Sequence, residues 1–237
     1  MLGIIGAMDR EIDLLLKRME NAEESRVGYT VFHAGTLSGV PVCLARCGIG
    51  KVHAALCAQG MLLRYPVEAM LNIGVAGALR EGLAVGDLVI ASSCVQHDID
   101  TTPIGDPPGL ISGPDIVHVP CDGELVSLLE QAAAQCGFKA VEAAIATGDQ
   151  FIAGIEKKDA LSRDFGAAAC DMEGGAIAQC CYEMGVPFAA FRAISDTRGG
   201  DGREYAEKAA FACEREQKLL PHFLSLYLKA GKERRHG

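Results

Sequence analysis

Two hydrophobic rhythms alternate along the chain. Short unbroken apolar runs bounded by turn residues predict buried strands at 2–6, 69–73, 87–95, 141–147, 167–170 and 188–195. Residues 29–34 and 40–46 predict a strand pair, with Ser38-Gly39 in the turn. Between the strands, apolar residues fall at helical spacing. The helix predicted over 9–21 carries them at 12, 15, 16 and 19. Further helices are predicted over 51–64, 122–136, 157–165, 172–184 and 204–229. This order predicts an α/β fold in one domain over residues 1–237, a mixed sheet between two helical layers. No internal repeat or linker interrupts it. Pro103–Pro114 forms a long irregular loop, of a kind that tends to be functional inside a compact domain.

Composition narrows the function. Only 5% of the residues are aromatic and none is Trp, which suits an aliphatic core of strands packed on helices. The net charge of −9 argues against a nucleic-acid surface, which needs clustered Lys and Arg. The basic tail Lys232-Glu233-Arg234-Arg235-His236 reads as a fraying helix end. Ten cysteines lie largely in apolar segments without a C-x-x-C pair, so buried free thiols and a reducing cytoplasm are expected, with no metal. No run approaches 18 apolar residues, and Met1–Gly6 lacks the features of a signal segment, so no membrane contact is expected.

Candidate chemistry gathers where strands end, the usual place for ligands in open α/β sheets. Glu11 shares a helix face with Met8, Ile12 and Leu15, an expensive place for a carboxylate without a partner or a task. A favourable interaction with the helix macrodipole is the plainer reading. Gly74-Val75-Ala76-Gly77 follows one strand, either as a tight turn or as bare backbone open to a ligand. It matches neither a Walker loop nor a dinucleotide fingerprint. Phe151 and Ile152 follow another strand, and Phe151 could plug the core or stack on a flat ring. Asp171-Met172-Glu173 precedes Gly174-Gly175, a costly pair in a helix unless something packs closely there. Glu173 could cap that helix or hold sugar hydroxyls. Asp196 ends the run from Val186 and is a candidate proton donor.

These residues sit in an ordered set of motifs. Gly3-Ile4-Ile5-Gly6-Ala7-Met8 with Glu11, Gly48-Ile49-Gly50-Lys51 and Asn72-Ile73-Gly74-Val75-Ala76-Gly77 come first. Val85-Gly86-Asp87, His97-Asp98-Ile99-Asp100, Gly148-Asp149-Gln150-Phe151-Ile152, Asp171-Met172-Glu173 and Arg192-Ala193-Ile194-Ser195-Asp196 follow. The set resembles the 5′-methylthioadenosine/S-adenosylhomocysteine nucleosidases of the nucleoside phosphorylase/hydrolase superfamily. The resemblance implies a nucleoside phosphorylase-like fold and hydrolysis of the bond between adenine and a 5′-thio-ribose. It implies Glu11 as the base that activates water and Asp196 as the acid toward adenine N7. Met172 and Glu173 would contact ribose, Phe151 would stack on adenine, and the Ile152 backbone would read its edge. Gly77 would touch the substrate, and Arg192 would lie near the catalytic water. No metal or cofactor is implied, and a homodimer in the cytoplasm is.

Three positions depart from that pattern. Val75 stands where Ser is frequent, so no hydroxyl is expected beside the acid there. The segment 197–203 is short, with Tyr205 as its nearest aromatic. Ile104 replaces a frequent aromatic in the loop 97–109, which the resemblance directs toward a neighbouring subunit's pocket. The competing readings are an aminodeoxyfutalosine-type nucleosidase, a nucleoside phosphorylase and a non-catalytic nucleoside sensor.

Overall fold

A computed structural model describes residues 1–200 and 205–236. Eleven strands form one sheet in the order β2-β3-β4-β1-β5-β11-β6-β10-β9-β7-β8. They are β1 (Leu2–Gly6), β2 (Glu20–Val27), β3 (Thr30–Leu37), β4 (Val40–Arg46), β5 (Ala69–Asn72) and β6 (Val75–Ala78). β7 (Leu88–Gln96), β8 (His118–Pro120), β9 (Ala140–Thr147), β10 (Ala167–Asp171) and β11 (Phe188–Asp196) complete the set. β7 also pairs with β11, so β11, β6, β10, β9 and β7 close a ring at one end.

Side chains alternate across the sheet because successive Cβ atoms point to opposite faces. Ile5, Cys43 and Ala45 join one core with α2 (Lys51–Arg64) and α5 (Gly174–Met184). Ile4, Val42 and Leu44 join the other with α1 (Asp9–Arg18), α3 (Gly123–Gln135) and α6 (Tyr205–His236). A smaller cluster seats Leu161 and Phe165 of α4 (Ile155–Phe165) against β9 and β10. This is the mixed, helix-flanked sheet that the alternating rhythms predict.

Three strands depart from expectation. The first helix ends at Arg18 rather than at 21, and β2 begins at Glu20. Almost every β2 residue is exposed, so this polar edge strand has no alternating apolar face to betray it. Val75–Ala78 is strand β6, paired with β10 and β11, rather than a turn. β8 is three residues long. The turn at Ser38-Gly39 has φ of 50° and 78°, the positive pair of a type I′ two-residue hairpin. The expected start of the last helix at Glu204, residues 201–203 and the Tyr205 side chain lie outside the described part.

Candidate active site

The parallel strands β1, β5 and β11 run side by side, so their carboxyl ends open on one rim. β9 and β10 run parallel to each other and opposite to β11, and the residues that follow their carboxyl ends reach the same cavity. A cavity on this rim is lined by Glu11, Gly77, Phe151, Ile152, Met172, Glu173 and Asp196, together with Met8, Ile49, Val75 and Ser195. Seven of the eight residues singled out in the sequence therefore share one wall. Arg192 is the exception: it is buried behind that wall, 1% exposed.

Glu11 sits in the first turn of α1 and does two things at once. Its Oε2 accepts the Ala7 and Met8 N–H groups at 2.7 and 2.9 Å, closing the helix start. Its Oε1 accepts Val75 N–H at 3.2 Å. Gly74 leaves room for this, because a Cβ there would lie 3.0 Å from Oε1. Burial raises the Glu11 pKa above the usual carboxylate range, partly offset by the Met8 N–H and then by Arg192.

Glu173 occupies the N-cap position of α5 without capping it. Asp171 takes that duty, its Oδ2 accepting Gly174 N–H at 3.0 Å, while Thr147 Oγ1 accepts Gly175 N–H at 2.7 Å. The Glu173 carboxyl turns instead to Gly50, whose N–H donates to Oε1 at 2.8 Å. Burial, then the charge of Asp171, pushes its pKa up to about 7. The close packing at Gly174-Gly175 involves the protein itself. A Cβ on Gly174 would lie 2.6 Å from Asp171 Oδ2, and one on Gly175 would lie 2.9 Å from the Gln96 side chain.

Arg192 explains why so many acids tolerate burial. Its Nη2 reaches Asp171 Oδ2 at 2.5 Å and also bonds the Asn72 side chain, while Nη1 donates to Phe191 O at 2.9 Å. The guanidinium thus lies under the cavity floor, fully committed to protein partners.

Asp196 follows a register shift between β11 and β6 at Ile194–Asp196, a local irregularity of the kind that re-aims a side chain. Its Oδ2 accepts Lys158 Nζ at 2.6 Å, and Nζ also donates to Thr197 O at 2.8 Å. Val75 offers Asp196 no hydroxyl, and an ammonium from α4 serves as its polar partner instead. Sequence reasoning missed Lys158 and also Glu216, a buried acid on α6 that accepts Gly74 N–H. Both lie at helical spacing among buried apolar residues: Lys158 with Leu161 and Phe165, and Glu216 with Ala212, Leu219 and Phe223. That spacing was the available signal.

Among the described residues, no group of three or more metal-binding side chains is present. All ten cysteines are unpaired, and seven are buried.

A sequence model of the phosphorylase superfamily matches residues 1–228. A 5′-methylthioadenosine/S-adenosylhomocysteine nucleosidase of Shewanella baltica is 41% identical over 202 residues, 84% of this chain and 85% of the relative. The crystal structure of the Neisseria meningitidis nucleosidase of that name, in complex with methylthio-immucillin-A, superposes with a TM-score of 0.90. It is 31% identical, and the match covers 94% of this chain and 97% of the other. A futalosine hydrolase of Helicobacter pylori gives a TM-score of 0.89 at 32% identity, with 94% and 97% covered.

Proposed function

The chain belongs to the phosphorylase superfamily and, within it, to the 5′-methylthioadenosine/S-adenosylhomocysteine nucleosidases, and we infer that it hydrolyses the N-glycosidic bond of those adenine nucleosides. The products are adenine and a 5-substituted ribose, and 5′-deoxyadenosine fits the same chemistry. One observation carries the reading above the others. Four carboxyl groups, Glu11, Asp171, Glu173 and Asp196, line a cavity whose described wall contains no Lys or Arg. Such a wall suits a cationic sugar and repels phosphate, which normally requires Arg and backbone N–H donors. The nearest guanidinium, Arg192, is spent on Asp171 and Asn72.

Glycosidic cleavage develops oxocarbenium character at the sugar. Glu11, held by three backbone N–H groups, takes a proton from the attacking water. Its raised pKa makes it a better base once ionised. Glu173 accepts hydrogen bonds from the ribose hydroxyls, with Met172 against the sugar. Once ionised, its negative charge stabilises the positive charge growing on the sugar. Phe151 stacks on adenine and the Ile152 backbone meets its edge, while Gly77 lets the substrate approach the β6 main chain. Asp196 directs a proton to N7, so that adenine leaves neutral. Arg192 acts from below, holding Asp171 and biasing Glu11 toward ionisation. No step calls for a cofactor.

One sheet receives strands from Leu2 to Asp196, which supports a single nucleosidase domain. Ten unpaired thiols support a reducing cytoplasm. Methionine salvage is the corresponding pathway assignment, and a homodimer the corresponding assembly.

The test is adenine release from 5′-methylthioadenosine, S-adenosylhomocysteine, 5′-deoxyadenosine and aminodeoxyfutalosine, each with and without phosphate. Release should not depend on phosphate and should fall by at least about 100-fold in Glu11→Gln. Release that requires phosphate identifies a phosphorylase. Exclusive turnover of aminodeoxyfutalosine favours the reading suggested by the futalosine hydrolase likeness. Tight nucleoside binding without turnover identifies a sensor.

A further inference from the structure

Lys158 is a buried cation for which the mechanism above has no use. It lies on α4, 0% exposed, facing the same side as Leu161 and Phe165. Among the described residues, the one carboxylate within ion-pair distance of its Nζ is Asp196, at 2.6 Å. The neighbouring acids are committed elsewhere. Asp171 on β10 belongs to Arg192, and Asp159, next along α4, belongs to Arg198. Cys170 on β10 is a thiol pushed up to about 12 by burial, then by Asp171. The part of β9 beneath α4, residues 143–146, is Ala-Ala-Ile-Ala. On its other side Asp196 is covered by the turn after β11, where a Cβ on Gly200 would collide with Oδ1.

A lone carboxylate meeting adenine N7 has only its own proton to give. A carboxylate paired with a buried ammonium has a second source. Two charges in a dry site gain Coulomb energy but pay a desolvation cost of comparable size. Moving one proton from Nζ to Oδ2 turns the ion pair into a neutral amine and a carboxylic acid, with no net charge left behind.

We propose that Lys158 is the positioning residue for Asp196, and that the proton delivered to the departing adenine is the one the two side chains hold between them. This rests on the reading of Asp196 as the acid. In the step, a Lys158 Nζ–H bond breaks as Asp196 passes a proton to N7. The C1′–N9 pair of electrons leaves with adenine. Water then bonds to C1′ and loses its proton to Glu11. Lys158 ends as a neutral amine and regains a proton from solvent after adenine departs.

The experiment compares two leaving groups on a 5-methylthioribosyl unit: adenine, which needs a proton, and 4-nitrophenolate, which does not. Lys158→Arg keeps the positive charge and the pairing, but a guanidinium does not give up its proton. Its kcat for adenine release should fall about 100-fold or more, with KM little changed and nitrophenolate release reduced far less. Lys158→Met should show the same split, and its melting curve reports whether it folds. Full adenine release in Lys158→Arg, or equal losses for both leaving groups in the two variants, overturns the proposal. Asp196→Asn separates the two ideas. If it releases adenine normally, the reading of Asp196 itself fails; if it loses adenine release while Lys158→Arg retains it, only the role of Lys158 fails.

Discussion

Glu173 carries a charge that the fold resists. Its carboxyl is buried beside Asp171, and its pKa stands near 7 against 4.5 for an ordinary Glu. The folded chain therefore holds the Glu173 proton between about pH 4.5 and 7, where the unfolded chain has released it. Its contribution to stability is complete below 4.5 and is lost as pH rises through about 7. At 1.36 kcal/mol per pKa unit, the whole swing is on the order of 3 kcal/mol. Ligand-free protein should thus lose stability from pH 5 to pH 8, and Glu173→Gln should flatten that slope in denaturant titrations. An unchanged slope in the variant would show that Glu173 is ionised without penalty. Glu216 shifts in the same direction for the same first reason, burial, followed by the charge of Glu11. At this scale the sequence was legible by one rule, a charged side chain on an apolar helical face. The rule found Glu11. Applied to α4 and α6, it would also have found Lys158 and Glu216. It could not find Arg192's partners, because Asp171 and Asn72 meet it only through strand register.

Elements whose two faces are both buried were easy to read, as β1, β5 and β11 show. β2 was hidden because its exposed residues follow no apolar rhythm, and β6 because Gly77 and its small neighbours look like a turn. The start of α5 gives a test of what its glycines do. A Cβ on Gly174 would press on Asp171 Oδ2, a carboxylate already fixed by Arg192 and Thr147. Gly174→Ala should therefore destabilise the protein by about 1–3 kcal/mol, despite alanine's better helix propensity. In a chain of this size each kcal/mol lowers Tm by roughly 2–4 °C, which calorimetry resolves. The turn after β11 should behave differently. Gly200 packs on Asp196 Oδ1 at the sheet rim, so Gly200→Ala should depress kcat by displacing the acid, and any fall in Tm should come from loosening the buried Lys158–Asp196 pair. A Gly174→Ala protein as stable as the parent would mean that the α5 start can yield. Normal turnover in Gly200→Ala would mean that the turn moves aside without Asp196.

The whole molecule leaves apolar surface uncovered. Val52, Leu56 and Leu63 of α2 are 69%, 66% and 70% exposed and fall at spacings of four and seven, a single stripe. Tyr182 and Met184, at the end of α5, are exposed as well, and α2 and α5 pack together. A contiguous apolar face of this kind ordinarily marks an interface. Ile49 and Phe151, which line the cavity, and Ile104, on the loop between β7 and β8, are exposed as well. We propose that a second copy covers this face, so that its 97–109 loop helps to close the neighbouring cavity. The wild-type chain should then sediment as a dimer at micromolar concentration. Leu56→Glu places a charge in the middle of the stripe and should give monomers. Since Leu56 is exposed and does not line the catalytic cavity, the monomer should stay folded. The defect should appear chiefly in KM, because the carboxyl groups remain in place while the 5′-substituent is left without one wall. A wild-type monomer defeats the proposal outright. A Leu56→Glu monomer with wild-type KM would keep the dimer but remove the neighbour from the substrate site.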